Sequence, residues 1–199
     1  MAKIVDYFFT PVSPWTYLGG ARLDAMVRRH GAVLRYKPCD YGKVFPVSGG
    51  LPVGQRPKQR QAYRLTELER WRDFLGIKLT IHPKHFPVAS DFAARTVVAA
   101  RQAGADPGRL ANALLRAVWA EERDVSDRAT VAAICGECGL DGAALTAAAD
   151  GAAARAELDA NTAEAIERQV FGAPTYIYRD KLYWGQDRLD FLDRALAAG

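Results

Sequence analysis

The sequence predicts an α/β fold in which an N-terminal βαβ unit and a C-terminal ββα unit enclose a long all-helical insertion. Three observations predict it. Residues 3–9 and 33–39 are runs rich in β-branched and aromatic residues, separated by a helical segment. From about Gln55 to Val170 the apolar residues recur with helical spacing, and strand signals almost vanish. They return at Pro174–Tyr178 and Lys181–Trp184, two short runs around a tight Arg179-Asp180 corner that reads as a hairpin.

Lys3 to Phe9 forms the first strand. The helix Pro14–His30 follows, because Ser13 is a favoured N-cap, Pro14 suits the first helical position and Gly31 suits a left-handed C-cap. Val33 to Cys39 forms the second strand, and Pro38 marks its end. In the insertion, Leu65, Leu68, Trp71 and Leu75 make one apolar stripe, and Leu110, Leu114 and Val118 another. Ser90 or Asp91, Asp106 before Pro107, and Ser126 read as helix starts; Gly76, Gly104 and Gly139 read as stops. The stretch AALTAAADGAAARAEL carries spaced Leu145 and Leu158 and reads as helix rather than linker. Gly185-Gln186-Asp187 opens a last helix whose Leu189, Leu192 and Leu196 face inward, with Asp187 as an acidic cap or first-turn residue. This order is that of a thioredoxin-like core split by helices. It gives residues 1–54 and 171–199 to a thioredoxin-like domain and 55–170 to a helical insertion domain.

With 199 residues, 49% hydrophobic, the chain can bury a sizeable core. No apolar run approaches the roughly 18 residues of a spanning helix, and Met1-Ala2-Lys3 leads straight into a strand, so a cytoplasmic protein without a membrane partner is expected. Three cysteines, Cys39, Cys135 and Cys138, suit a reducing compartment. The net charge of +4 hides an asymmetry: residues 1–64 carry +8 and the remainder −4, so the N-terminal part should attract anions. Arg56, Lys58, Arg60 and Arg64 concentrate in QRPKQRQAYR, read as a solvated helix face. Nucleic acid is not the expected partner, since the run holds one aromatic, Tyr63, and Glu67 and Glu69 end it.

Ser13 stands where thioredoxin-like oxidoreductases place a nucleophilic cysteine, at a strand-to-helix junction whose unpaired N–H groups and dipole favour a thiolate. The junction here reads Val12-Ser13-Pro14-Trp15, so a sulfur would have to arrive with a cofactor. Spacing alone supports cap and catalyst equally. Two further segments bear on it. Ala173-Pro174 enters a strand where such a core holds a cis-proline loop that can pair with an extended thiol peptide. Trp184-Gly185-Gln186-Asp187 puts a glycine and a fresh helix N-terminus where a carboxylate and an amine could bind.

With VDYFFTPVSPWTYL, LTELERWRDFLGI and ERQVFGAPTYIYRDKLYWGQDRL, the chain resembles the 2-hydroxychromene-2-carboxylate isomerases nearly end to end. That group is similar to kappa-class glutathione transferases and DsbA-like proteins. The resemblance implies glutathione as cofactor, with Ser13 on its sulfur, the Ala173-Pro174 loop on its cysteinyl unit, and Trp184, Gly185, Gln186 and Asp187 on the remainder. It implies cis–trans isomerisation of a small anionic aromatic, pyruvate-like compound by reversible thiolate addition. Tyr41 and Lys43 are nominated for the substrate carbonyl and carboxylate. One loop departs from the naphthalene-pathway isomerases: their polar Ser-Asn-Arg-Asp stretch is replaced by Pro52-Val53-Gly54-Gln55-Arg56. A glutathione transferase or peroxidase, a non-catalytic thioredoxin-like binding module, and a homodimer stay open as alternatives.

Cys135-Gly136-Glu137-Cys138 is a C-x-x-C, but it ends a helix within the insertion rather than at an activating junction, so redox chemistry is not expected. His82-Pro83-Lys84-His85 could join that pair around zinc, but the segment between carries no metal-site cue, so no metal is expected. His30 reads as a surface residue in a helix's last turn.

Overall fold

The computed structural model describes residues 2–199. In chain order the elements are β1 (Ile4–Phe9), α1 (Pro14–His30), β2 (Val33–Pro38), α2 (Tyr41–Ser48), α3 (Lys58–Leu75), α4 (Asp91–Gln102), α5 (Pro107–Trp119), α6 (Arg128–Glu137), α7 (Gly142–Ala149), α8 (Ala152–Glu167), β3 (Thr175–Tyr178), β4 (Lys181–Trp184) and α9 (Leu189–Ala197). The strands form one sheet in the order β2-β1-β3-β4. β1 and β2 run parallel, and β3 is antiparallel to both β1 and β4. This is the expected βαβ and ββα core with helices between.

Alternation along β1 sorts its side chains onto two buried faces. Val5, Tyr7 and Phe9 join one cluster with α1, α9 and the insertion; Phe8 joins Cys39, Tyr41, Val44, Ala165, Val170 and Ile177 on the other. A strand covered on both faces reads as a near-continuous apolar run, which in β1 only the buried Asp6 interrupts. The first cluster unites Tyr7 and Tyr176 of the sheet with Leu68, Leu114, Trp119 and Cys135 of the insertion in one core.

Local signals set most boundaries. Ser13 caps α1, and Gly31 closes it at φ +58°. Asp106 caps α5 by accepting from the N–H groups of Gly108 and Arg109. Arg179 and Asp180 both take positive φ, the conformation a two-residue hairpin corner requires.

Several expectations need correction. α2 follows β2 directly, where no helix was expected: it spans two turns, contains Pro46, and is capped by Asp40 accepting from the Gly42 N–H. α6 begins one residue later than read, because Asp127 caps it through the Thr130 N–H while the Ser126 hydroxyl donates to Asp124. Of the two readings for Asp187 the cap fails and the first-turn position holds: it makes no side-chain capping bond and lies in the first turn of a 3-10 helix, Gln186–Arg188, that precedes α9. His30 is half-buried, with Nε2 2.5 Å from Asp193 Oδ1. The basic run is only partly a solvated face: Lys58 and Arg60 are exposed, Arg56 is half-buried, and Arg64 is 8% exposed.

Candidate active site

β1 ends at Phe9, and the chain crosses Thr10-Pro11-Val12 to reach Ser13 in extended backbone, φ −77° and ψ 128°. That geometry turns the hydroxyl back over the first turn of α1, where Oγ accepts from the Thr16 N–H at 3.3 Å. A serine hydroxyl keeps a donor beside its acceptor lone pairs. Ser13 donates to no group among the described residues, so its proton is free for a ligand. Capping and donation are therefore compatible in one side chain. The turn is pinned from both sides, by the Ser13 N–H on the Thr10 carbonyl at 3.2 Å and by the Trp119 indole N–H on the Val12 carbonyl at 3.1 Å.

Strand register brings the second segment to the same end of the sheet. Phe8 pairs with Thr175, which sets Ala173 and Pro174 beside the exit of β1. The Ala173-Pro174 bond is cis, and the Ala173 backbone N–H and C=O pair with no other backbone group. The loop is held from behind at Gly172, whose carbonyl accepts from the Thr175 hydroxyl at 2.6 Å and from the Tyr41 hydroxyl at 3.2 Å. Tyr41 is thus buried beneath the loop, and burial raises its phenol well above the ordinary range.

Pairing of Thr175 with Trp184 delivers the third segment. The Gly185 N–H donates to the Pro174 carbonyl at 2.9 Å. Gly185 sits at φ +99°, and a Cβ there would stand 2.3 Å from Asp187 Oδ1, so the carboxylate folds over the glycine. Trp184 is half-exposed and packs against Phe171 in a tilted arrangement, centroids 4.8 Å apart and ring planes at 57°. Gln186 points inward: it is 1% exposed, and its carbonyl and side-chain oxygen both accept from Arg22 Nη2.

Ser13, Ala173, Pro174, Trp184, Gly185 and Asp187 therefore meet at one end of the sheet, with Gln186 as the strut that docks their last turn on α1. Lys43 is exposed on α2 and ion-paired with Asp159 at 2.7 Å. The cysteines are elsewhere or sealed. Burial pushes the Cys135 thiol up to about 11 and raises Cys39 and Cys138, so none resembles an activated nucleophile. Among the described residues no three His, Cys, Asp or Glu side chains gather as a metal-ligand set, and no helix is long and apolar enough to cross a membrane. A broad cleft between α1 and α5 is lined by Tyr17, Arg22, Asp24, Arg28 and Arg116 and does not include Ser13 in its lining.

Sequence reasoning missed Trp119 and Arg22. Trp119 follows the α5 stripe residue Val118 and carries no mark of its hydrogen bond to a turn over a hundred positions earlier. Arg22 looks like any exposed helix cation.

The DSBA-like thioredoxin domain family matches residues 4–197. A 2-hydroxychromene-2-carboxylate isomerase of Pseudomonas putida is 32% identical over 196 residues, 97% of this chain and 94% of that protein. One of Sphingobium xenophagum is 30% identical over 197 residues, 98% and 99% of the two chains. The solved structure of a 2-hydroxychromene-2-carboxylate isomerase superposes with a TM-score of 0.82 at 28% identity, covering 98% of this chain and 95% of that one.

Proposed function

Because the chain belongs to the DSBA-like thioredoxin domain family and, within it, to the 2-hydroxychromene-2-carboxylate isomerases, we propose that it is a glutathione-dependent cis–trans isomerase of a 2-hydroxychromene-2-carboxylate-like aromatic compound. The observation that carries the reading is Ser13: a hydroxyl with an uncommitted proton at the N-terminus of a 17-residue helix, in a site without a cysteine.

The donor set fits glutathione. A free backbone N–H and C=O at Ala173 match an extended peptide, and the partly exposed Asp187 carboxylate matches an amine. Bound glutathione would supply a thiolate: once the hemiketal ring C–O bond of the chromene has opened to a phenol and a conjugated ketone, that thiolate would add reversibly to the conjugated carbon, so that the double bond becomes single, rotates and re-forms as the thiolate leaves. Ser13 donates its O–H to that negative sulfur, and the dipole of α1 adds to the same stabilisation. The Ala173 backbone fixes the thiol's approach, and Tyr41 acts through Gly172 by holding that loop. Residues 1–54 and 171–199 supply the site, and 55–170 cover and brace it through Trp119.

The test is conversion of 2-hydroxychromene-2-carboxylate to its trans, pyruvate-like isomer, followed by absorbance with and without reduced glutathione. Glutathione-dependent equilibration is expected. Equal rates with and without enzyme would refute the activity, and enzyme turnover without glutathione would refute the cofactor.

A further inference from the structure

Arg64 and Leu68, one turn apart on α3, are its two buried residues. A leucine there needs no comment, but an arginine at 8% exposure ordinarily has a carboxylate beside it. Arg64 has none. Its Nη2 is sealed from solvent without a hydrogen-bond partner. The neighbouring charge that acts on it is another cation, Arg56, and burial together with Arg56 lowers its pKa to about 10, which leaves it charged at neutral pH. Arg56 is itself half-buried, with Nε donating to the Leu51 carbonyl.

Two aromatic faces flank the guanidinium. Its carbon lies 5.3 Å from the Phe86 ring centre and 5.8 Å from that of Trp119, and the two rings are 4.7 Å apart. Cation–π contacts offset part of the desolvation but leave the N–H groups of Nη2 unpaired. Trp119 is the same residue whose indole N–H holds Val12, next to Ser13. The uncompensated cation is thus separated from the Ser13 turn by one indole.

We propose that Arg64, with Arg56 at its rim, is the seat of a planar carboxylate carried by an aromatic ligand, with the half-buried Phe86 as the wall for the ring and Trp119 backing it from the core. A guanidinium fork meets a carboxylate through two parallel N–H donors, and an anion there would neutralise a charge otherwise costly to bury. The identity of the reacting compound rests on the isomerase reading; the anion seat does not.

The test uses the full chain saturated with reduced glutathione, with benzoate and benzamide as calorimetric probes. The parent is expected to bind benzoate at least tenfold more tightly than benzamide, and Arg64→Met to weaken benzoate by roughly 10- to 100-fold, the range of a hydrogen bond to a charged group, with glutathione affinity unchanged. No benzoate binding by the parent overturns the seat. So does unchanged benzoate affinity in Arg64→Met, or an equal loss for both probes, which would make Arg64 a packing strut. Should Arg64→Met not fold, the benzoate-to-benzamide ratio of the parent and the affinity of Arg64→Lys decide: a ratio near one, or no change in Arg64→Lys where the fork is lost, overturns it. Failure of the isomerase reading is distinct: the parent would then not convert the chromene, while benzoate binding still depended on Arg64.

Discussion

The indole Nε1 of Trp119, the last residue of α5, donates to the carbonyl of Val12 at 3.1 Å, so a residue of the helical insertion holds the turn that presents Ser13. Trp119→Phe keeps a ring in the core but leaves that buried carbonyl unpaired, at a cost of about 1–3 kcal/mol. The expected result is a matching loss in urea denaturation together with reduced turnover. A variant as stable as the parent would show that the bond positions nothing.

Ser13 separates cap from catalyst by the choice of substitution. Ser13→Gly should cost a few tenths of a kcal/mol of stability and Ser13→Ala roughly 0.5–2. Both remove the hydroxyl, so the thiol pKa of bound glutathione should rise by about one to two units in each, corresponding to roughly 1.5–3 kcal/mol. Because the role proposed for Ser13 is to favour the thiolate in the parent, the variants' activity should shift to higher pH. Thiolate absorbance during titration of the glutathione complex reads the effect, and an unchanged pKa in Ser13→Gly would sink the catalytic role.

Asp187 makes no capping bond, and its substitution tests binding without disturbing the helix. Asp187→Ala should stay within about 0.5 kcal/mol of the parent in stability while glutathione affinity falls roughly 10-fold or more. Gly185→Ala should lose both. Its φ of +99° strains any side chain by about 1–3 kcal/mol, and the added methyl would displace the Asp187 carboxylate. Equal glutathione affinity in Asp187→Ala and the parent would remove that carboxylate from the site.

The thiols should be dispensable. Changing Cys39, Cys135 and Cys138 together to Ala leaves the Ser13 turn untouched, and turnover should persist even though small cavities lower the melting temperature. Turnover at background in a chain still folded by circular dichroism would return the C-x-x-C to consideration.

Much of this molecule was legible in the order of its residues. Ser13-Pro14 and Gly31 bound α1, Asp106-Pro107 starts α5, and Arg179-Asp180 turns the hairpin, because caps and tight turns are decided by two to four adjacent residues. The resemblance carried by three segments anticipated the shared end of the sheet. α2 escaped notice because it is short, holds a proline and draws its stability from packing against the Phe8 face.

The sequence by itself determined the alternation of strand and helix, the serine at the junction and the absence of a thiol there. Tertiary structure alone decided which polar groups were spent and which left free. Gln186 turned inward to Arg22, Tyr41 committed its hydroxyl to Gly172, Trp119 reached Val12, and Arg64 was buried without an anion, while Ser13 kept its proton. The physical reason is range. Propensity and capping act within a turn of chain, whereas burial and hydrogen-bond pairing join residues a hundred positions apart, and only the packed core fixes where those meet.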